Sequence, residues 1–332
     1  MKVGIFSHCT MDTIVYENEQ YDAPGGPASY CSLTARKQKH DVNLYTKYGP
    51  NYPLEEFFKE NKINTPDALS SNSTTKFRIE LNGSDRKLFV ENMCEKINFM
   101  ENDNDGVIIS PVFDEISLET YSKIKNSDNF VLLDPQGFLR EKNANNEISL
   151  KKTSLDLNNI DAIKMNPDEL YAMTGLTGND GIKQLQKLGI EHVIYTNKQE
   201  ISLLVKDKLY TIFLPKMTLT DTTGIGDIFC STFTCTMLKE KDFLWALSFA
   251  GGAARNVTVT TAGTGDNAKT NTIVGTDVFG NEIGGRDNPQ GFGPQAAYGK
   301  DFDGKVVKSG LYIVTLEKES TILKTTVGVL NR

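Results

Sequence analysis

The chain has 332 residues, of which 39% are hydrophobic and 24% are charged, and its formal net charge is −7. This composition is close to the globular average and excludes a disordered, collagen-like or coiled-coil chain. At roughly 150 residues per domain, the length predicts one large domain or two ordinary ones. The acidic balance argues against binding to nucleic acid and favours small ligands. No apolar run approaches the ~18 residues of a membrane span, so we expect no membrane association.

The cysteines indicate a reducing compartment. They number five and include no C-x-x-C pair, which argues against a disulfide framework or a structural zinc site. The sequence turns polar at Ser7, before the apolar core of a signal peptide has developed. We therefore expect a cytoplasmic protein.

Short apolar segments alternate with amphipathic ones over the first 260 residues. The apolar segments predict strands at residues 3–6, 42–45, 106–109, 130–133, 162–164 and 192–195. The amphipathic segments predict helices at residues 28–39, 54–61, 117–126, 168–174, 181–188 and 224–240. Several of the strands are apolar throughout, which is typical of strands buried on both faces. The alternation predicts an α/β fold with a doubly wound, mainly parallel sheet.

Two regions break the alternation. Residues 74–81 and 87–90 flank a turn-forming segment, 82–85, and predict a β-hairpin that belongs to a small accessory sheet. Near the end of the chain, residues 310–316 and 321–330 have strand character and predict an antiparallel hairpin.

The glycine content changes sharply along the chain. Eleven of the 27 glycines lie between Gly263 and Gly310, so the last part of the chain differs in kind from the rest. We place a domain boundary near residue 262, between an α/β domain of residues 1–262 and a glycine-rich, mostly β tail of residues 263–332.

The most informative motif reads D-T-T-G-I-G-D at residues 221–227 and is followed by an apolar helical run. Glycines at the start of a helix allow a tight turn and leave backbone N–H groups free, and the helix dipole adds partial positive charge. An anion would bind well there. Asp227 lies beside that position, where its carboxylate would accept a proton from a substrate hydroxyl. The alternative is ordinary helix capping by Asp and Thr.

This motif resembles the C-terminal signature D-T-x-G-A-G-D of the ribokinase, or PfkB, family of carbohydrate and nucleoside kinases. The alanine of the signature is Ile225 here. The resemblance implies that Asp227 is the general base and that Thr222 contacts the nucleotide. The residues that it places in the anion hole are Gly224, Ile225 and Gly226.

A second family element, N-x-x-E, reads N-P-D-E from Asn166 to Glu169. In the family this pair helps to organise magnesium and the phosphates, so the resemblance implies that Glu169 acts on Mg²⁺ through water and not as a direct ligand. The alternative is an N-terminal helix cap with an acid in the first turn.

Further matches lie in the first part of the chain. Gly25 and Gly26 open a helix and resemble the family's N-terminal di-glycine element, which approaches the sugar. Asp12 follows the first strand, where the family uses an aspartate to bind acceptor hydroxyls. The accessory hairpin matches the family's β-lid, with lid strands expected within about residues 13–24 and 74–91. The alternatives are an ordinary strand-to-helix turn and an ordinary loop aspartate.

Several positions depart from the family pattern. Tyr30 stands where many sugar kinases carry an acceptor-contacting asparagine, and we assign it to the acceptor site. Residues 196–200 replace the usual glycine-containing turn with what we interpret as an irregular loop, in which Thr196 and Asn197 face the nucleotide. Gly251 occupies a position near the nucleotide that is commonly asparagine.

The resemblance runs from residue 1 to about 260. It implies an ATP-dependent kinase that transfers a phosphoryl group to a hydroxyl of a sugar, nucleoside or related small polyol, with Mg²⁺ bound through ATP. A homodimer formed through the lid is a further expectation. The competing interpretation is a non-catalytic sugar- or nucleotide-binding protein with the same fold, which the changes at 196–200 and Gly251 favour and the retained Asp227 opposes. A dehydrogenase lacks support because no glycine fingerprint follows the first strand.

The tail shows a separate resemblance. Residues 301–316 and the closing strand are similar to the small immunoglobulin-like β-module that ends many secreted bacterial proteins and flagellar hook-capping proteins. A module fused from another gene and a set of extra strands for the kinase domain remain the two alternatives.

Overall fold

A large, mostly parallel sheet forms the centre of the protein, for which the structure is a computed structural model. The structure describes residues 1–16, 19–50, 52–82, 85–126, 129–198, 200–214, 224–256, 275–276, 282–283, 310–318 and 321–329. The strands up to residue 213 are β1 (Lys2–Phe6), β2 (Thr10–Tyr16), β3 (Glu19–Gly25), β4 (Asp41–Tyr45), β5 (Ile63–Asn64), β6 (Lys76–Asn82), β7 (Asp85–Asn92), β8 (Gly106–Ile109), β9 (Phe130–Leu133), β10 (Arg140–Lys142), β11 (Ile148–Leu150), β12 (Ala162–Met165), β13 (His192–Asn197), β14 (Glu200–Val205) and β15 (Lys208–Phe213). The helices are α1 (Gly26–Lys37), α2 (Glu55–Glu60), α3 (Leu118–Lys125), α4 (Gln136–Leu139), α5 (Pro167–Thr174), α6 (Gly178–Lys187), α7 (Ile225–Glu240) and α8 (Phe243–Asn256).

The central sheet has nine strands in the order β15-β14-β13-β12-β9-β8-β1-β4-β5. The strands from β13 to β5 pair in parallel, whereas β14 and β15 extend the sheet antiparallel at one edge. All six strands predicted from the apolar segments lie in the parallel part. The predicted α/β fold is therefore confirmed.

Helices cover both faces of this sheet. Val107 and Ile109 of β8 belong to one buried cluster, together with residues of α3, α5 and α6, while Ile108 belongs to a second cluster with residues of α1, α7 and α8. Successive side chains of a strand point to opposite faces, so a strand covered on both sides must be apolar at every position. This explains the uninterrupted apolar segments of the sequence.

A second sheet, here called the lid sheet, has four strands in the order β3-β2-β6-β7. Strands β2 and β6 pair in parallel, and the other neighbours are antiparallel. The four strands lie in or close to the two ranges predicted for the lid. Its hairpin β6–β7 was predicted, although the tip of that hairpin, Gly83 and Ser84, lies outside the described residues.

The predicted helices are all present, with ends that move by at most three residues. The sequence analysis missed α8, the hairpin β10–β11 and the edge strands β14 and β15. The interpretation of residues 196–200 as an irregular loop was wrong, because Thr196 and Asn197 pair with Ile201 and Glu200 in a regular β13–β14 hairpin. A tight hairpin turn usually carries glycine or asparagine at positive φ. Here Lys198 takes that conformation, with φ of 55°, so the residue type gave no cue.

The tail contributes two short strands, β16 (Gly275–Thr276) and β17 (Glu282–Ile283), and two longer ones, β18 (Gly310–Lys318) and β19 (Thr321–Val329). The last two pair antiparallel, as predicted for the end of the chain. The boundary near residue 262 and the resemblance of the tail to an immunoglobulin-like module stay predictions. In the part of the chain that the structure describes, no helix is both long and apolar enough to cross a membrane.

Candidate active site

Among the described residues, no side chain caps the N-terminus of α7. Gly224 precedes the helix with φ of +78°, a left-handed conformation that favours glycine. The first helical hydrogen bond runs from the Ile228 N–H to the Gly224 carbonyl at 2.9 Å. The N–H groups of residues 225–227 precede that bond, and none of them donates to a described residue. Thr222 and the rest of 215–223 lie outside the described residues.

Asp227 lies in the first turn of α7 and is half-buried. Burial and, after it, the charge of Asp134 raise the pKa of its carboxyl to about 7, against the opposing charge of Lys164. Its backbone carbonyl accepts a hydrogen bond from the Cys31 thiol of α1 at 3.3 Å, which fixes the start of α7 against α1. A carboxyl group with a pKa near 7 is well suited to exchange protons at neutral pH.

A buried ion pair lies beside this helix start. The Lys164 ammonium of β12 is 2.8 Å from the Asp134 carboxylate, and only 10% and 1% of the two side chains are exposed. A Cβ on Gly226 would come within 3.2 Å of the Lys164 nitrogen, so the cation adjoins the open N–H groups. Although burial disfavours its charge, the carboxylates of Asp134 and Glu169 hold the pKa of Lys164 well above its ordinary value. The site therefore combines helix N–H groups with a fixed positive charge.

Tyr30 packs against the same helix start. It is buried in α1, and a Cβ on Gly224 would lie 2.6 Å from its ring. Glycine at 224 is thus required by the backbone conformation and by the close approach of the ring. The structure places Tyr30, which we predicted for the acceptor site, next to the predicted anion hole.

Asp12 is buried within β2, where it pairs with Ala23 of β3. One carboxylate oxygen, Oδ2, accepts a hydrogen bond from the Thr10 hydroxyl at 3.1 Å, while Oδ1 has no partner of hydrogen-bond geometry among the described residues. The backbone N–H of Phe77 acts on the same carboxyl group and lowers its pKa. A Cβ on Gly25 would lie 2.5 Å from Oδ2, so glycine at 25 leaves room for the carboxylate. The following residue, Gly26, has φ of +79° and starts α1. A buried acceptor atom without a donor is costly unless a ligand supplies one.

Replacing Asp12 with asparagine is expected to raise the free energy of unfolding at pH 7.5 by about 1–3 kcal/mol. Burial raises the pKa of Asp12 to about 6, and only 7% of the residue is exposed. Since this pKa exceeds the unfolded value of roughly 3.9, the stability of the wild type falls as the pH rises from about 4 to about 6 and stays lower above that range. Urea unfolding at pH 4 and at pH 7.5 measures the difference.

Asp22 offers the matched control, because it lies in the same lid sheet and its pKa is shifted in the opposite direction. Hydrogen bonds from Thr13 and Lys76 lower the pKa of Asp22. Asp22→Asn should therefore destabilise the fold at pH 7.5. Equal stability of Asp12→Asn and wild type at both pH values would contradict the prediction for Asp12.

Asn166 and Glu169 form a capping box at the start of α5. The Asn166 side chain accepts hydrogen bonds from the N–H groups of Asp168 and Glu169, both at 2.9 Å, and the Glu169 carboxylate accepts from the Asn166 N–H at 2.8 Å. The capping interpretation is thus correct. The capping box is compatible with a role at the phosphates. Burial raises the pKa of Glu169, the charge of Lys164 lowers this pKa, and the charge of Asp134 raises it.

The residues assigned to the nucleotide lie at two places. Thr196 donates a hydrogen bond to the Met165 carbonyl at 3.4 Å, directly before Asn166, and Asn197 ends the same strand. Gly251 of α8 is buried, and a Cβ there would lie 2.4 Å from the Ile212 side chain. Close packing of α8 on β15 therefore accounts for glycine at 251. Its contact with nucleotide, like those of Thr196 and Asn197, stays a prediction.

Lys164 is a site residue that the sequence analysis missed. It lies in the strand predicted at residues 162–164 and was treated as structural. One signal was available for Lys164, since a charged residue within a strand that is buried on both faces needs a partner. Among the described residues, no three His, Cys, Asp or Glu side chains form a group that could hold a metal ion.

A family model described as pfkB family carbohydrate kinase matches residues 68–271, which is more than half of the chain. The chain belongs to the pfkB family. A search of curated protein sequences finds no match.

Solved structures share the fold of this pfkB-family chain at low sequence identity. A pyrophosphate-dependent kinase in the ribokinase family, complexed with a pyrophosphate analog and myo-inositol, superposes with a TM-score of 0.67 at 18% identity over 76% of this chain and 93% of its own. Ribokinase from Thermotoga maritima gives 0.63 at 19% identity, with 76% and 91% coverage. Ribokinase from Arabidopsis thaliana, complexed with ribose and ATP, gives 0.60 at 16% identity, also with 76% and 91% coverage. These similarities establish a ribokinase-like fold.

Proposed function

We propose that the protein transfers the terminal phosphoryl group of ATP to a hydroxyl of a sugar or related polyol, with Asp227 as the general base. The observation that carries the proposal is the start of α7, which no described side chain caps and which has a carboxyl group of pKa about 7 in its first turn. Helix N–H groups stabilise the charge on a phosphoryl group in transfer, and a neighbouring carboxylate accepts the proton of the attacking hydroxyl.

The reaction needs one proton transfer and one displacement. The proton moves from the acceptor hydroxyl to a carboxylate oxygen of Asp227, and the acceptor oxygen bonds to the terminal phosphorus. The bond between that phosphorus and the bridging oxygen breaks, which leaves ADP. The N–H groups of Gly224, Ile225, Gly226 and Asp227 and the charge of Lys164 face the transferred group. Asp12 orients the acceptor, since its unpartnered Oδ1 accepts from a second hydroxyl.

The donor phosphates extend from α7 towards the start of α5. In this arrangement Asn166, Thr196 and Asn197 lie on the donor side, and Glu169 is the residue that fits Mg²⁺. Its carboxylate is buried, and one oxygen is already held by the Asn166 N–H, so a contact through water suits it better than direct coordination. Mg²⁺ bound to the donor phosphates would neutralise part of their charge.

The lid sheet closes the acceptor side. Ile14, Ile79 and Leu88 lie on the same face as Asp12, as the strand register requires. Closure of such a face over the acceptor excludes water and limits wasteful hydrolysis of the donor.

A homodimer through this sheet is part of the proposal, and the exposed Tyr16 and Tyr21 on its strands support it.

A coupled assay for ADP release tests the proposal. We expect at least one sugar, nucleoside or polyol to raise ADP production well above the rate without acceptor. Pyrophosphate should be tried as a second donor, because one structural neighbour uses it. If calorimetry with ATP and Mg²⁺ finds no binding and no acceptor stimulates turnover with either donor, the protein is a binding protein and not a kinase.

A further inference from the structure

We propose that the outer edge of β15 is an interaction surface for a second copy of this chain, so that two central sheets join edge to edge across a two-fold axis. This surface, here called the β15 edge, consists of Leu209, Thr211 and Phe213. It lies at the end of the central sheet opposite to β5. The proposal does not depend on the phosphoryl transfer proposed above.

The β15 edge lacks the features that usually keep an edge strand from pairing. Among the described strands, β15 pairs only with β14. Edge strands of soluble proteins are commonly protected by shortness, by proline or by charged side chains. The opposite edge of the sheet follows this rule, because β5 has only two residues. β15 has six residues without proline, and its only charged residue is the first, Lys208. The rest of the strand is able to pair with another strand.

The apolar side chains of the β15 edge are exposed. Phe213 is 75% exposed, the highest value for a large apolar side chain among the described residues, and Leu209 is 43% exposed. Both lie on the face of β15 that carries Thr211, since alternate residues of a strand share a face. Tyr210 and Ile212 lie on the other face, where they contact α8. The face that stays exposed is therefore the one formed by Leu209 and Phe213.

The turn before β15 determines which backbone groups of the strand point outward. Lys206 and Asp207 have positive φ, 47° and 61°, and form the two-residue turn of the β14–β15 hairpin. Such a turn follows directly on a hydrogen-bonded pair, which is Val205 with Lys208. Hydrogen-bonded and non-hydrogen-bonded pairs alternate along an antiparallel ladder. The next residue of β15 and every second one after it therefore belong to non-hydrogen-bonded pairs.

These residues are the three of the β15 edge. The hydroxyls of Thr211 and Ser202, its partner on β14, are 2.8 Å apart, which fits a non-hydrogen-bonded pair because side chains lie closer together there. The N–H and C=O groups of Leu209, Thr211 and Phe213 thus point away from β14. The residues with exposed apolar side chains are also the residues whose backbone groups are directed at a further strand.

The β15 edge is complementary to itself. In an antiparallel pair centred on Thr211, that residue lies opposite Thr211 of the second copy, and Leu209 of each copy lies opposite Phe213 of the other. All three positions have outward backbone groups, so each pair exchanges two hydrogen bonds. The exposed leucine and phenylalanine side chains then cover each other. A two-fold interface requires a surface that matches itself in this way, which favours a second copy over an unrelated partner.

Sedimentation equilibrium over a range of protein concentrations tests the β15 edge. Pairing along one strand covers less than the roughly 1,600 Å² of a standard interface, so we expect a reversible dimer that forms at micromolar concentrations. Leu209→Lys should weaken the dimer about 100-fold, because a two-fold interface loses the apolar contact twice. Leu118→Lys is the matched control. Leu118 is an exposed leucine at the start of α3, so the same change there should leave association unchanged.

Two double variants test the register of the pair. Leu209→Lys with Phe213→Glu places opposite charges across from each other, so the dimer should form again and should weaken as salt is added. Leu209→Lys with Phe213→Lys places like charges there and should stay monomeric. Both double variants lose the same apolar side chains and differ only in the charge at position 213. Thermal melting checks that every variant folds.

A dimer through the lid sheet is the competing result. It would persist in Leu209→Lys and be lost in Tyr21→Lys, since Tyr21 is exposed on the lid sheet, and this pattern would overturn the β15 edge. A wild type that stays monomeric up to about 100 µM would also overturn it, as would equal association of the two double variants. Assemblies larger than a dimer that Leu209→Lys reduces to dimers would support the β15 edge beside a lid interface.

Discussion

Replacing Asp227 with asparagine is expected to lower kcat by about 10²- to 10⁴-fold, the usual contribution of a positioned base. Asparagine has nearly the same shape and cannot accept the proton of the acceptor hydroxyl. The acceptor KM should change little, because the change removes an interaction that matters in the transition state. Initial-rate kinetics with the best acceptor from the screen measure both constants.

The pH profile gives this prediction a second readout. A base acts in its deprotonated form, and burial sets the pKa of Asp227 at about 7. The kcat of the wild type should therefore fall about tenfold per pH unit below pH 7 and level off above it. In Asp227→Asn this acid limb should disappear.

Asp168→Asn is a suitable control. Asp168 lies in the first turn of α5, as Asp227 does in α7, but its side chain is exposed. Asp168→Asn should have the kcat of the wild type and the same fall of kcat below pH 7. Near-normal activity of Asp227→Asn would rule out the proposed role of Asp227.

Local patterns were sufficient to predict the main sheet and the principal site helix. Strands such as 106–109 are apolar at every position because helices cover both faces, and this pattern needs no knowledge of the neighbours. Gly224 of the motif at 221–227 likewise follows from its own conformation, since a positive φ requires glycine there. Features that depend on one short segment are accessible to sequence analysis.

Features that depend on the register between distant segments could not be predicted from the sequence. Leu133 of β9 pairs with Ile163 of β12, which brings the following residues, Asp134 and Lys164, side by side. About thirty residues separate the two, and no pattern within either segment shows the pairing.

Replacing Lys164 with methionine is expected to destabilise the fold by about 3–5 kcal/mol, because Asp134 is left as an uncompensated buried charge. The same change should affect catalysis. The charge of Lys164 lowers the pKa of Asp227 and the charge of Asp134 raises it. Without the lysine, the acid limb of kcat should move to higher pH.

The double variant Lys164→Met with Asp134→Asn separates these effects from a general loss of structure. It removes both charges, so it should recover most of the lost stability and return the acid limb towards pH 7. Urea unfolding gives the stability of each variant, and the pH profile of kcat gives the position of the limb.

Lys125→Met provides the comparison at a distance. The Lys125 ammonium is buried in α3, 2.7 Å from the Asp156 carboxylate and 2.9 Å from the Asn158 carbonyl, so its loss should also destabilise the protein. Because Asp156 is largely exposed, water can solvate the carboxylate that remains, and the loss should be smaller than at Lys164. The acid limb should stay in place. A shift of the limb in Lys125→Met as large as in Lys164→Met would show that lost stability, and not the local charge beside Asp227, moves the pKa.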